Sequence, residues 1–150
     1  MRQVEVPPRV RALSTLPQVD YADAFVVEAA AAQERSAEEW IRSVLDDAPT
    51  GLRRALRSGW HSLGLELGPD DSDGLVLGWE VRRSTGAHVL LGAGSRLGMP
   101  AELVLQRRPR SLLLATLIRQ ENPLVRAMWA GMVHVHRRVV PNVLARAAAG

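Results

Sequence analysis

The residues able to do chemistry in this chain are few, and their spacing decides what each could do. His134 and His136 form a His-x-His pair. On a strand they would share a face and could hold a metal ion. On a helix, at 100° per residue, they point about 160° apart and one ion cannot take both. The surrounding pattern is helical, so no metal site is expected. His136 falls inside an apolar arc of that helix, which allows two roles. It is a buried neutral histidine bonded to a backbone group or water, or a polar group at the floor of a cavity that donates a hydrogen bond or proton. Glu80, Glu102, Gln106 and Thr116 interrupt otherwise apolar strands. A carboxylate pointing inward among them would suit general acid–base work, whereas a solvent-facing one is the ordinary case. His61 and His88 stand apart from any nucleophile motif, so no Ser-His-Asp arrangement is indicated.

Two further motifs invite a reading and lose it on context. Gly92-Ala-Gly-Ser-Arg-Leu-Gly98 misses the G-x-G-x-x-G spacing, and Met99-Pro100 stands where a phosphate-binding helix would have to begin. Glycines there fit a bulge or bend in a strand. Arg53, Arg54 and Arg57, and again Arg107, Arg108 and Arg110, cluster as nucleic-acid contacts often do. Aromatic content is only 4%, and Trp40, Trp60 and Trp129 fall on core-facing stripes, which leaves no exposed stacking platform. These arginines read as solvated faces, with no nucleic acid as partner.

The elements that must position these groups follow from periodicity. Residues 1–19, with prolines at 7, 8 and 17, read as a lead-in. Tyr21–Ala29 alternates as a strand. Ser36-Ala-Glu-Glu39 is a capping box opening a helix whose apolar residues are Ala37, Trp40, Ile41, Val44, Leu45 and Ala48. After Pro49, Thr50 can cap a second helix carrying Leu52, Leu56, Trp60 and Leu63, with Gly64 as a left-handed stop. Gly68–Gly74 is a loop by composition. Leu75–Arg83, His88–Leu97, Ala101–Arg107 and Ser111–Gln120 are extended and joined by hairpin-length connections, and Leu65–Leu67 adds a short strand. Asn122 then caps, and Pro123 begins, a long helix. Val125, Trp129, Met132, His136, Val139 and Val143 form its apolar arc, with Met128 and Val140 at the edges. Pro141 inside it predicts a kink or a separate terminal turn.

Composition bounds the class. The chain has 150 residues, enough for one domain with an ordinary core. Hydrophobic residues make up 47% and charged residues 23%, as in globular proteins. No apolar run approaches the roughly 20 residues of a membrane-spanning helix, and the first residues lack the apolar core of a signal peptide. Stable membrane insertion is therefore not expected, and the cytosol is the default location. There is no cysteine, which excludes disulfides and thiolate chemistry. All 19 basic residues are arginine, and 16 acids leave a net charge of only +3. The high isoelectric point reflects arginine's pKa and the absence of lysine.

The order strand, two short helices, antiparallel meander and long C-terminal helix resembles the START-like helix-grip superfamily. That group includes lipid-transfer domains, plant pathogenesis-related class-10 proteins and polyketide cyclase/dehydrase proteins. Asp20-Tyr-Ala-Asp-Ala-Phe, Ser36-Ala-Glu-Glu-Trp, Val76-Leu-Gly-Trp79, Gly98-Met-Pro-Ala-Glu-Leu-Val104 and Asn122-Pro through His136-Arg are similar to an uncharacterised bacterial branch of it. The resemblance implies an α+β fold in which a curved antiparallel sheet of five to seven strands wraps a long C-terminal helix. Between them it implies an apolar cavity. The expected lining is Trp79, Leu91, Glu102, Met128, Trp129, Met132, His136 and Val139, holding a hydrophobic small molecule or lipid without a cofactor. Two other readings stand beside this binding protein. One is a cyclase- or dehydratase-type enzyme using His136 or Glu102. The other is a protein-interaction module, such as a homodimer, with a filled core.

Overall fold

The computed structural model describes residues 1–70 and 72–150; Asp71, inside the expected Gly68–Gly74 loop, lies outside them. Over the described residues the chain is an α+β protein built on an eight-stranded antiparallel sheet with a long C-terminal helix. Its strands are β1 (Arg2–Val4), β2 (Tyr21–Glu28), β3 (Leu65–Glu66), β4 (Leu75–Val76), β5 (Trp79–Ser84), β6 (His88–Ser95), β7 (Ala101–Arg107) and β8 (Ser111–Ile118). The helices are α1 (Pro8–Arg11), α2 (Ala37–Leu45), α3 (Thr50–Ser62) and α4 (Pro123–Ala149). Across the sheet the order is β1-β2-β8-β7-β6-β5-β4, with β3 paired to the far end of β6. β5 to β8 are a meander of hairpins, while β8 folds back to pair β2 along its whole length, from Tyr21 opposite Ile118 to Glu28 opposite Ser111.

Eight strands exceed the five to seven expected, and the extra ones have local causes. β1 and the single-turn α1 lie within the lead-in, where Pro8 occupies the first helical position that suits proline. The expected Leu75–Arg83 strand is cut in two by a tight turn at Leu77-Gly78, both residues with positive φ, 47° and 90°. Leucine tolerates that conformation poorly, so the surroundings must hold it. The Leu77 N–H donates to Asp46 Oδ1 at 2.8 Å, its carbonyl accepts from Arg57 Nη1 at 3.0 Å, and its side chain is fully buried. Arg57 also donates to the Gly68 carbonyl and pairs with Asp70. It is therefore a staple between α3 and the β3–β4 connection, and not the freely solvated arginine expected.

Each face of the sheet is covered. On the inner face Phe25, Val27, Leu91, Leu103, Leu105, Leu112 and Leu114 meet α2 and α4. The Ser36–Glu39 capping box is formed in both directions and starts α2, whose Trp40 Nε1 donates to the Ala32 carbonyl inside the core. Asn122 starts α4 by accepting from the Val125 N–H at 3.0 Å, while its amide donates to the Leu97 carbonyl, tying the helix to the β6–β7 turn. The helix runs from Pro123 to Ala149 without interruption. The separate terminal turn expected at Pro141 is absent because Val143, Leu144 and Ala147, all buried, hold the last turns against the core.

On the outer face the lead-in lies across Ala24, Val26, Leu90, Val104, Leu113, Ala115 and Leu117, inserting Val10 and packing Leu13, Leu16 and Val19 beside it. Glu102 is the anchor of this strap and is fully buried. It accepts hydrogen bonds from the Ser14 hydroxyl, the Thr15 N–H and the Thr15 hydroxyl, and Arg82 Nη1 approaches at 3.5 Å. Glu80, Gly92 and Glu102 lie in one cross-strand row. Arg82 lies over Gly92, so close that a Cβ there would be 2.2 Å from its guanidinium carbon. That close approach, and not a phosphate, explains the glycine at the head of the Gly92–Gly98 motif.

Candidate functional site

Between the inner face of the sheet, α3 and α4 lies a cavity of about 260 Å³. Its existence follows from the position of α3. That helix has no fully buried residue, and its apolar stripe, Leu52, Leu56 and Trp60, is only half covered because it faces the cavity instead of packing into a neighbour. Ala55, exposed, and Val135, 51% exposed, line the same space, so the cavity opens to solvent between α3 and α4. The sheet supplies the floor through Trp79, Leu103, Leu114, Thr116 and Ile118, joined by Met99 from the β6–β7 connection. Trp60 meets Trp79 edge-on at 5.4 Å.

Of the residues expected to line a cavity, Trp79, Trp129, Met132, His136 and Val139 are brought together around it. Leu91 is buried in the inner core without reaching it, and Met128 packs at the edge of α4. Glu102 is placed on the opposite face of the sheet and cannot act inside. The alternation of β7 sends Ala101, Leu103 and Leu105 inward and Glu102 and Val104 outward, where the strap covers them. Its four donors make it a structural anchor.

The polar end of the cavity is built on β2, β8 and α4. His136 Nε2 bonds Asp23 Oδ2 at 2.9 Å, and the Tyr21 hydroxyl donates to the same oxygen at 2.5 Å. Arg137 Nε donates in turn to the Tyr21 oxygen at 3.3 Å. The imidazole stacks edge-on to Trp129 at 5.0 Å, and Trp129 to Tyr21 at 5.1 Å. The strand period places Tyr21, Asp23 and Phe25 on the inner face, and α4 passes His136 over Asp23 113 residues later. Burial, and then the Asp23 hydrogen bond, push the Tyr21 phenol up to about 12, so it stays a donor at any ordinary pH. With Nε2 held by the carboxylate, Nδ1 of His136 makes no hydrogen bond among the described residues. The arrangement resembles the oriented histidine of acid–base sites: one nitrogen fixed, the other available.

Several polar atoms here are buried without a partner. Asp23 Oδ1, Thr116 Oγ1, Trp79 Nε1 and Trp129 Nε1 have none among the described residues. Buried polar atoms are nearly always hydrogen-bonded, so each exception calls for an explanation. Thr116, Trp79 and Trp129 all line the cavity. Sequence reasoning singled out Thr116 as a polar interruption of β8 but could not orient it. Asp23 was missed as a site residue, since nothing local marks it as the partner of a histidine so far along the chain. Among the described residues no helix is long and apolar enough to cross a membrane. The chain matches no known family model, and no curated protein or solved structure with which it was compared matches it.

Proposed function

We propose that this chain is a helix-grip protein of the START-like kind, acting in the cytosol to bind a hydrophobic small molecule between its sheet and its last helix. The single observation that carries the reading is the cavity of about 260 Å³, apolar over nearly all its lining and open between α3 and α4. Ligand sites are concave, mostly apolar and fitted with a few convergent polar groups, and this space has that character. An engineered cavity of about 150 Å³ takes benzene. By that scale the present one takes a molecule of about two fused rings or a chain of comparable volume, and a long acyl chain would have to emerge through the opening.

Trp60, Trp79 and Trp129 line the cavity, so intrinsic fluorescence reports on its contents. Titration with a naphthalene-sized probe is expected to perturb the tryptophan emission saturably. Ala55→Trp, which fills the space from α3 where the residue is exposed, is expected to abolish the response with the fold intact. A wild-type protein that binds no such probe sinks the proposal.

One observation favours the enzyme reading beside it. Asp23 orients His136 in the manner that suits a general base. On that reading His136→Gln removes turnover of a cyclisation or dehydration substrate while leaving apolar binding in place. Loss of both together would assign His136 to binding alone.

A further inference from the structure

Of the buried atoms left without a partner near the cavity, the acceptor Asp23 Oδ1 belongs to a residue outside its lining, while those on the lining can donate, and their kind says what the ligand carries. Thr116 Oγ1 and Trp129 Nε1 are buried, unpartnered and on residues that line the space. Both can donate; the indole can only donate. A chain of contacts connects them: Thr116 pairs with Asp23 across β8 and β2, Asp23 holds His136, and His136 stacks on Trp129. A third unpartnered donor, Trp79 Nε1, stands on the other side of the same lining. An apolar ligand without an acceptor would leave these donors unmet, which is costly in a dry site.

The charge of the site narrows the acceptor. Asp23 is 1% exposed, and the groups that bond it are a tyrosine hydroxyl and a histidine, with Arg137 held one residue further out on the Tyr21 oxygen. Among the described residues no arginine hydrogen-bonds the carboxylate directly. A ligand carboxylate placed against Thr116 would bring a second negative charge next to a buried one, in a medium where like charges repel strongly. A neutral carbonyl oxygen accepts from the same donors without that repulsion.

Resting on the binding reading above, we infer that the ligand is a neutral carbonyl compound, a ketone, aldehyde or ester of about two-ring size. Its oxygen accepts from Thr116 and Trp129, and Asp23 rejects its anionic analogues. Thr116 and Asp23 are thereby specificity-determining residues. Asp23 acts through charge and Thr116 through contact.

Three probes of nearly one shape separate the possibilities: naphthalene, 2-acetonaphthone and 2-naphthoate, titrated at pH 8.5 where the last is ionised. With wild type, the ketone is expected to bind about tenfold tighter than naphthalene, the worth of about one hydrogen bond to a buried donor. It is expected to bind at least about tenfold tighter than the carboxylate. Thr116→Val keeps the side chain's shape, and Trp129→Phe removes the indole donor. One or both should bring the ketone to within about threefold of naphthalene, while naphthalene binding by Thr116→Val stays at the wild-type level and certifies the cavity. Asp23→Asn, whose amide oxygen still accepts from Tyr21 and His136, should shrink the ketone-to-carboxylate ratio by about threefold or more. The inference is overturned if 2-naphthoate binds as tightly as the ketone. It is overturned equally if the ketone's advantage over naphthalene survives both Thr116→Val and Trp129→Phe, or if Asp23→Asn leaves the carboxylate ratio unchanged. Wild type binding none of the three refutes the binding reading itself, a result separate from these.

Discussion

Glu102→Ala tests how the outer face of the sheet is held. The carboxylate is fully buried and accepts from Ser14 and Thr15 through three donors, and Arg82 stands 3.5 Å away. Hydrogen bonds to a charged group contribute about 1.5–3 kcal/mol each before the cost of burying that charge is set against them. Three such bonds total roughly 4–9 kcal/mol. The substitution also removes the buried charge, and Ser14 and Thr15 are exposed enough to be rehydrated once freed. The Arg82 pair is discounted because that side chain is 27% exposed. A net loss of about 3 kcal/mol remains, against a total stability of about 5–15 kcal/mol. For a chain of this size that corresponds to a fall in melting temperature of about 6–12 °C. Glu102→Gln should recover less than half of this, despite its shape, because its amide hydrogens would face donors on both sides. The assay is thermal melting paired with timed tryptic digestion. The chain has no lysine, so trypsin reads arginines alone, and Arg9 and Arg11 lie exposed on the strap. Cleavage there should accelerate before the rest of the chain is cut. Melting within about 2 °C of wild type, with no change at Arg9 and Arg11, would refute the reasoning.

Other perturbations address single features. Gly92→Ala should cost about 1–2 kcal/mol by displacing Arg82 from the Glu80–Glu102 row; in an Arg82→Ala background the same change should cost almost nothing, as a double-mutant cycle in denaturant will read. Leu144→Ala, at a fully buried position that docks the end of α4, should destabilise by about 2–5 kcal/mol in the same experiment. Pro141→Ala should be neutral or raise stability by up to about 2 kcal/mol, since the helix is already continuous there and alanine restores a hydrogen bond to the Arg137 carbonyl; a fall in melting temperature would show that the buried ring outweighs the missing bond. Tyr21 is the lone tyrosine, so absorbance near 295 nm follows it alone. Its pKa is raised on folding to about 12 from the ordinary value of about 10. Below pH 10 both states keep the proton and the contribution is complete. Between about 10 and 12 only the native state keeps it, so stability falls as pH rises. Tyr21→Phe should lack that slope.

What could be read in advance was local. The Ser36 capping box, the Asn122 cap followed by Pro123, and the limits of β7 depend on residues within four positions of one another, and the structure places them where periodicity did. The turn at Leu77-Gly78 was invisible because a leucine with positive φ is held there by Asp46 and Arg57, far off in sequence. Strand faces were unreadable for a related reason. The strap covers one side of β6, β7 and β8 while helices cover the other, so both faces are apolar and alternation fades. That is why Glu102 could not be oriented. His136 could be placed on an inward arc of α4, but its partner Asp23 required knowing that β2 lies beneath that turn.

The pairing of β2 with β8 also constrains how the chain can be made. β2 leaves the ribosome well before its neighbour, which spans Ser111–Ile118, and the strap's anchor Glu102 comes only slightly sooner than that neighbour. Until then Ala24, Phe25 and Val26 have only the three residues of β1 to pair with, on one side. The N-terminal quarter must therefore wait, largely unburied, for residues synthesised almost a hundred positions later. Such long-range closure slows folding and prolongs the exposure of an aggregation-prone segment. Of these two paired strands, the one made first is the one that waits to find its place.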